Sequence, residues 1–196
     1  MPLPADVQRG ANADARLVDV RGAKIASAVA LFALIGALAA PAAHSRQANT
    51  RVVLTSLESG VLADLNQIRA QHGLKPLGIS ARLTAAAAQH SREMGADGYF
   101  QHESHDGTAF WKRIGRYYGS TGYGYWSVGE NLLWSSPQVD ASGALNLWMN
   151  SPEHRKNILT PRWREIGISA LHFASAPGTY KGLEVTIITT DFGVRH

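Results

Sequence analysis

The apolar pattern of this chain changes period once, close to Pro152, and that change restricts it to folds in which helices precede paired strands. Before the change, Leu57, Val61, Leu65 and Ile68 recur at helical spacing, and Gly73 can end the stripe. Ser80 is placed to cap a second helix with Leu83, Ala87, His90 and Met94 on its apolar face, ending near Gly95. Phe110, Trp111 and Ile114 predict a short third helix after the Asp106-Gly107 turn. A fourth has Ser136 at N-cap, Pro137 at N1, and Ala141, Leu145 and Trp148 on one face, with Pro152 stopping it. Afterwards Ile166, Ile168 and Ala170 alternate, Pro177-Gly178 marks a turn, and Leu183, Val185 and Ile187 alternate again, the pattern of a β-hairpin. The segment from Gly122 to Asn131 offers another strand, and no internal repeat interrupts the order. The expectation is an α+β layered domain.

Composition narrows what such a domain can do. The chain has 196 residues, 45% hydrophobic and 17% charged, which fits one globular domain with a short extension and excludes disorder throughout. Its 19 Lys and Arg stand against 15 Asp and Glu, and no basic run exceeds a pair such as Lys112-Arg113, so the dense stripe of a nucleic-acid binder is missing. It has no cysteine, which removes disulfides, thiolate nucleophiles and Cys-built metal sites. Any metal must be held by His or carboxylate.

Ile25 to Ala40 form a chargeless apolar run preceded by Arg16, Arg21 and Lys24 and followed by Ala40-Pro41-Ala42-Ala43, the order of an export signal. A helix of 16 residues spans about 24 Å, short of the roughly 30 Å hydrocarbon core, so no stable membrane span is expected after cleavage. The boundaries read as 1–42 for the signal peptide, 43–55 for a polar linker and 56–196 for the folded domain, in a secreted or periplasmic protein.

Between Tyr117 and Val139 the chain carries one carboxylate, Glu130, and no Lys or Arg. Desolvating that group alone is costly, so it should meet a cation, a metal or several donors, against the plainer reading of a solvent-facing strand residue. His102 and His154 each follow a predicted helix end, where binding groups are often mounted and where surface or capping histidines are more frequent still. Their separations from Glu130 are too long for a local metal motif. His102-Glu103-Ser104-His105 is one residue short of the zinc-protease spacing, and Ser151-Pro152-Glu153 reads first as N-cap, N1 and N2 of a helix with His154 at N3. His90 reads as a hydrogen-bonded core histidine. Gly122 to Trp126 is no phosphate cradle, and Asp191-Phe192-Gly193 lacks every other kinase element.

Taken in order, several short motifs join these pieces. They are Leu65-Asn66-Gln67-Ile68-Arg69, Gly73-Leu74-Lys75-Pro76-Leu77, Tyr99-Phe100-Gln101-His102 ahead of Asp106-Gly107, and Gly129-Glu130-Asn131. Trp148 to Leu159, Ile166-Gly167-Ile168 and Phe192-Gly193 complete the set. The series resembles the CAP superfamily of cysteine-rich secretory, antigen 5 and pathogenesis-related 1 proteins, in its bacterial SCP-like branch. The resemblance implies an α-β-α sandwich around a small central antiparallel sheet, with His102, Glu130 and His154 meeting in a cleft and Asn131 bracing the loop. Ser151 stands where many relatives carry a second glutamate. Two imidazoles and one carboxylate make a plausible divalent site, zinc before magnesium, with reduced affinity for want of the missing charge. The functions this implies are a non-catalytic binding domain for a small ligand, lipid or protein, a metal-dependent hydrolase of peptide or cell wall, or a lipid or sterol carrier. Tyr117, Tyr118, Tyr123, Tyr125, Trp126 and Trp134 suggest the last, against the plainer reading that they fill the core.

Overall fold

The computed structural model describes residues 52–196 and the backbone of one strand at 16–21. Thr55 opens helix α1 (Ser56–Gln71) with a capping box: its hydroxyl accepts from Glu58 N while the Glu58 carboxylate accepts from Thr55 N. The other oxygen of Glu58 accepts from Ala170 N at 3.0 Å, so the cap also ties α1 to the sheet. Gly73, at φ 67°, turns the chain after α1. Buried Arg69 then fastens that turn to a distant segment, donating to Lys75 O, Ile158 O and Thr160 O.

Strand β1 (Arg16–Arg21) precedes α1, and β2 (Gly78–Ile79), helix α2 (Ala81–Asp97) and helix α3 (Phe110–Tyr117) follow it. Next come β3 (Tyr125–Ser135), α4 (Ala141–Asn150), α5 (Pro152–Ile158), β4 (Glu165–Phe173) and β5 (Val185–Arg195), with a 3-10 turn at Gly178–Tyr180 in the β4–β5 connection. The sheet has five strands in the order β1-β3-β5-β4-β2. β3, β5 and β4 pair antiparallel, and β1 adds antiparallel to β3 through Arg16↔Glu130 and Arg21↔Tyr125. The expected antiparallel sheet is therefore mixed: β2 lies parallel to β4, held at its ends by Gly78 N→Arg164 O and Ser80 N→Ile166 O.

Because side chains alternate across a strand, β3 and β5 feed both layers. Leu133, Ile188, Phe192 and Val194 pack against Leu65, Trp148, Ile158 and Trp163 from the side of α1, α4 and α5. On the other face Trp126 and Val128 meet Leu83, Phe110, Ile114 and Tyr118 from α2 and α3, while Leu132 and Ile187 meet Met94 and Tyr180. Burying each such large side chain stabilises by about 1.5–3 kcal/mol, so both layers are anchored to the sheet independently. This is the α-β-α sandwich of an α+β protein.

Two helix boundaries differ from the sequence reading. α2 continues past Gly95 to Asp97 and ends at Gly98, φ 72°. Gly95 instead makes room for the Phe173 ring, which a Cβ there would overlap. α4 starts at Ala141, because Asp140, not Ser136, supplies the capping oxygen, accepting from Gly143 N at 2.7 Å; the Ser136–Pro137 peptide is cis. β1 lies inside the stretch 1–42 read as an export signal. The apolar run Ile25 to Ala40, and His44, fall outside the described residues.

Gly167 on β4 shows how closely α2 sits on the sheet: a Cβ there would overlap the backbone of Leu83 and Thr84. Gly115 on α3 has nothing within 4 Å of its Cβ position. We expect Gly167→Ala to lower the unfolding free energy by about 1–3 kcal/mol, since backbone must move. Gly115→Ala should raise it by up to about 1 kcal/mol through helix propensity. Urea unfolding of the two variants beside the wild type distinguishes them, and equal shifts would contradict this packing.

Candidate functional site

Glu130 lies in the middle of β3 with its side chain on the α2–α3 face, 0% exposed. Its carboxylate is fully engaged. Oε1 accepts from His102 Nδ1 at 2.7 Å, and Oε2 accepts from Arg113 Nη2. Arg113 comes from α3, where the spacing of Phe110, Arg113 and Ile114 puts it on the buried face. Its Nη1 donates to His102 O at 2.8 Å, so one guanidinium grips both the carboxylate and the backbone of the residue that the carboxylate holds. The His90 ring on α2, 0% exposed, meets Gln101 O through Nε2 at 2.9 Å. The two carbonyls before and at His102 are thus each held by a buried side chain, and the Phe110 ring packs beside the imidazole at 6.1 Å.

The electrostatics follow from that geometry. Burial pushes the Glu130 carboxyl up, but the Arg113 guanidinium, with smaller contributions from His90 and His102, pulls it well below the usual carboxylate range. Arg113 is the mirror case: burial favours loss of its proton, and Glu130 together with Asp191 more than offsets that. Asp191 on β5 stands directly opposite Glu130 in register and is also fully buried. Burial first, and then the Glu130 charge, raise it well above its ordinary value, although neither of its oxygens meets hydrogen-bond geometry. Two buried acids thus share the site with one arginine, Glu130 shifted down and Asp191 shifted up.

His154 enters from the other layer, at N3 of α5. The expected N-cap is in place, but Ser151 Oγ makes its hydrogen bond to His154 Nδ1, at 2.7 Å, and caps no backbone N–H. Asn131, the residue after Glu130, donates through Nδ2 to His154 O at 3.2 Å and so ties β3 to this corner. Asn157 adds a second strut, its Nδ2 reaching both Glu130 O and Asn131 Oδ1. Gly129 allows that approach, because a Cβ there would come within 2.7 Å of Asn157 Oδ1 and 2.9 Å of Trp163. His102, Glu130 and His154 are only 4%, 0% and 2% exposed, so they lie beneath the surface and do not line an open cleft.

For a divalent cation these residues divide. Glu130 has committed both oxygens and faces a fixed positive charge, which gives it the place of an orienting carboxylate. His102 donates through Nδ1 and keeps a buried Nε2 without a hydrogen-bond partner, the disposition of an imidazole that offers its lone pair to a cation or a donor. Among the described residues no group of three or more His, Asp or Glu is placed to hold a metal ion. The sequence reading missed Arg113, Asp191 and Asn157. The first two carried a signal: each is a charge set in an apolar stripe, the same anomaly that marked Glu130.

The aromatic residues suggested for lipid carriage are spread over the molecule. Tyr118 and Trp126 are core residues beside α3, Trp134 packs edge-on against Tyr180, and Tyr125 stacks on His196. Tyr123 is 41% exposed under the Arg195 guanidinium.

Comparison with known proteins agrees with this architecture. The uncharacterized protein YkwD of Bacillus subtilis is 33% identical over 123 residues, covering 62% of this chain and 45% of YkwD. The chain thus spans less than half the length of that relative. An outer surface protein of Borrelia burgdorferi superposes with a TM-score of 0.56 at 20% identity over 74% of this chain and 97% of its own, a likeness of fold. An extracellular protein containing an SCP domain from Bacillus anthracis superposes with a TM-score of 0.50 at 27% identity, covering 72% of this chain and 44% of that one. Residues 62–183 match the model of the CAP family, described as the cysteine-rich secretory protein family. The chain belongs to the CAP family, as a member without a cysteine.

Proposed function

We propose that this chain is an exported, non-catalytic CAP-type binding domain whose binding centre is the imidazole of His102, oriented by Glu130, with His154 brought to the neighbouring backbone by Asn131 and Ser151. Export is supported by the apolar N-terminal run and by the extracellular description of the Bacillus anthracis relative. Among the described residues no helix is long and apolar enough to cross a membrane.

The observation that carries the non-catalytic reading is the commitment of Glu130. A general base works best with a pKa near the operating pH and a free oxygen directed at substrate. Glu130 is held far below that range, and His102 and Arg113 occupy both its oxygens. Zinc is the cofactor this centre would accept, on imidazole nitrogen, with Glu130 fixing the ring and ligands from a small molecule, lipid headgroup or partner protein completing the shell.

Two measurements test this reading. Calorimetric titration of Zn²⁺ should show binding that disappears in His102→Ala and weakens about 10- to 100-fold in Glu130→Gln, the usual cost of losing an orienting carboxylate. Binding unchanged in His102→Ala would contradict it. Incubation with peptide and cell-wall substrates should release no product; turnover that vanishes in Glu130→Gln would establish a hydrolase instead.

The opposed acids also fix a pH signature. Glu130 is lowered from 4.5, so its stabilisation is complete above about pH 4.5 and is lost as pH falls below it. Asp191 is raised from 3.8, so its stabilisation is complete below about pH 3.8 and is lost as pH rises toward its folded-state value. Each slope reaches at most about 1.4 kcal/mol per pH unit. In Asp191→Asn, a neutral isostere, the urea midpoint should lose the decline that sets in as pH rises above about 3.8 and keep the one on the acid side. An unchanged decline with rising pH would contradict the upward shift of Asp191.

A further inference from the structure

The corner where α1, α5 and the β2–β4 pair meet collects positive charge without acid. Residues 52–196 carry thirteen Lys and Arg against twelve Asp and Glu. Two segments, 65–82 and 154–164, hold seven of those cations and none of the acids, which leaves six cations against twelve acids for the rest of the domain. The fold joins the two segments. Arg69 donates through Nε to Lys75 O at 3.0 Å and through Nη1 to Ile158 O and Thr160 O. Gly78 N donates to Arg164 O at 3.0 Å, and Gly78 and Ile79 pair with Glu165 and Ile166. Thr160 Oγ1 in turn donates to Lys156 O at 2.8 Å.

Two guanidiniums at this corner find no counter-anion among the described residues. Arg69 is 0% exposed, its bonds all end on backbone carbonyls, and its buried Nη2 has no hydrogen-bond partner. Arg164, exposed above it, gathers Pro161 O, Arg162 O and Trp163 O through Nη1 alone. Glu165, the acid next to it in the chain, accepts instead from the Tyr118 hydroxyl. The C-terminal end of α5, at Ile158, offsets part of the Arg69 charge, but a helix dipole is only a partial counter-charge. Burial first, and then the Arg164 charge, hold Arg69 below its ordinary value, so the two cations oppose each other.

We propose that this corner is a phosphate site, in which Arg164 and Lys75 bind a phosphate monoester at the surface while Arg69 supplies charge from beneath. A bound anion offsets the repulsion between the two guanidiniums, so binding stabilises the folded chain. A monoester carries close to two negative charges at neutral pH, which matches several cations better than the single charge of a carboxylate. The planar fork of arginine also fits phosphate oxygens in pairs. The site shares no residue with the His102 centre and stands whether or not that centre takes a metal.

Inorganic phosphate is the probe. Titrated into the full chain at neutral pH, with ionic strength held constant by NaCl, it should shift the backbone amide resonances of Lys75, Thr160 and Arg164 saturably. The general stabilisation that phosphate gives any protein by exclusion from its surface does not saturate. Arg164→Gln, at an exposed position, should weaken binding at least about 10-fold through loss of charge-assisted hydrogen bonds. Arg116→Gln, which removes an exposed cation of α3, should bind as the wild type does. If Arg164→Gln fails to fold, Lys75→Gln gives the same reading. An unsaturable response, equal binding by Arg164→Gln, or equal affinity for acetate would each overturn the proposal. Vesicles then locate the phosphate. Co-sedimentation with phosphatidic acid but not phosphatidylcholine, abolished in Arg164→Gln, assigns a lipid headgroup; no co-sedimentation beside intact phosphate binding assigns a soluble phosphate ester.

Discussion

A single buried ion pair, Glu130 with Arg113, organises the functional half of this molecule. Both partners are fully buried, where an isolated charge would be several kcal/mol uphill, so neither can be ionised without the other. Arg113 also has more donors than the carboxylate can use, and it directs one of them to His102 O. The pair is consequently a three-way joint between β3, α3 and the loop that carries His102. Asp191, buried opposite Glu130, is pushed the other way, first by burial and then by the Glu130 charge.

The opposite layer is built differently. Around His154 the links are neutral amides and a hydroxyl, Asn131, Asn157 and Ser151, and the residues that admit them are Gly129 and the Trp163 indole, whose Nε1 donates to Asn157 O. One strand thus separates an ionic joint on one face from an amide lattice on the other, and Glu130 and Asn131, adjacent in sequence, serve the two in turn because successive side chains alternate across β3. This arrangement explains how residues from both helical layers can converge on one stretch of strand while each remains buried.

How much of this was legible in the sequence depended on whether a residue's neighbours in the chain are also its neighbours in space. Helix and strand periods and the β4–β5 hairpin are local, and the α+β class follows from them. Glu130 was legible as an anomaly, an acid without a local counter-charge, but the identity of its partner was not: Arg113 is 17 residues away on another element, and only folding selects it from the other basic residues. The boundary errors have the same origin. Gly95 looks like a helix stop until the Phe173 ring, far along the chain, is seen to occupy the space of its Cβ, and Pro137 looks like an N1 residue until Asp140 supplies the better capping oxygen. The resemblance to the CAP family implied that His102, Glu130 and His154 meet in a cleft; the structure joins His102 to Glu130 beneath the surface, adds Arg113, and holds His154 through Asn131 and Ser151 on the other face of β3.

The central claim is that Glu130 is ionised and is matched by Arg113. A double-mutant cycle of Glu130→Gln and Arg113→Met, read by urea unfolding at neutral pH, addresses it most directly. Each single substitution leaves a buried charge unmatched and should remove about 3–5 kcal/mol of stability. The double variant should lose less than the sum by about 2–3 kcal/mol, because neither charge remains. Additive losses, agreeing within about 0.5 kcal/mol, would mean that the two groups do not depend on each other and would contradict the account.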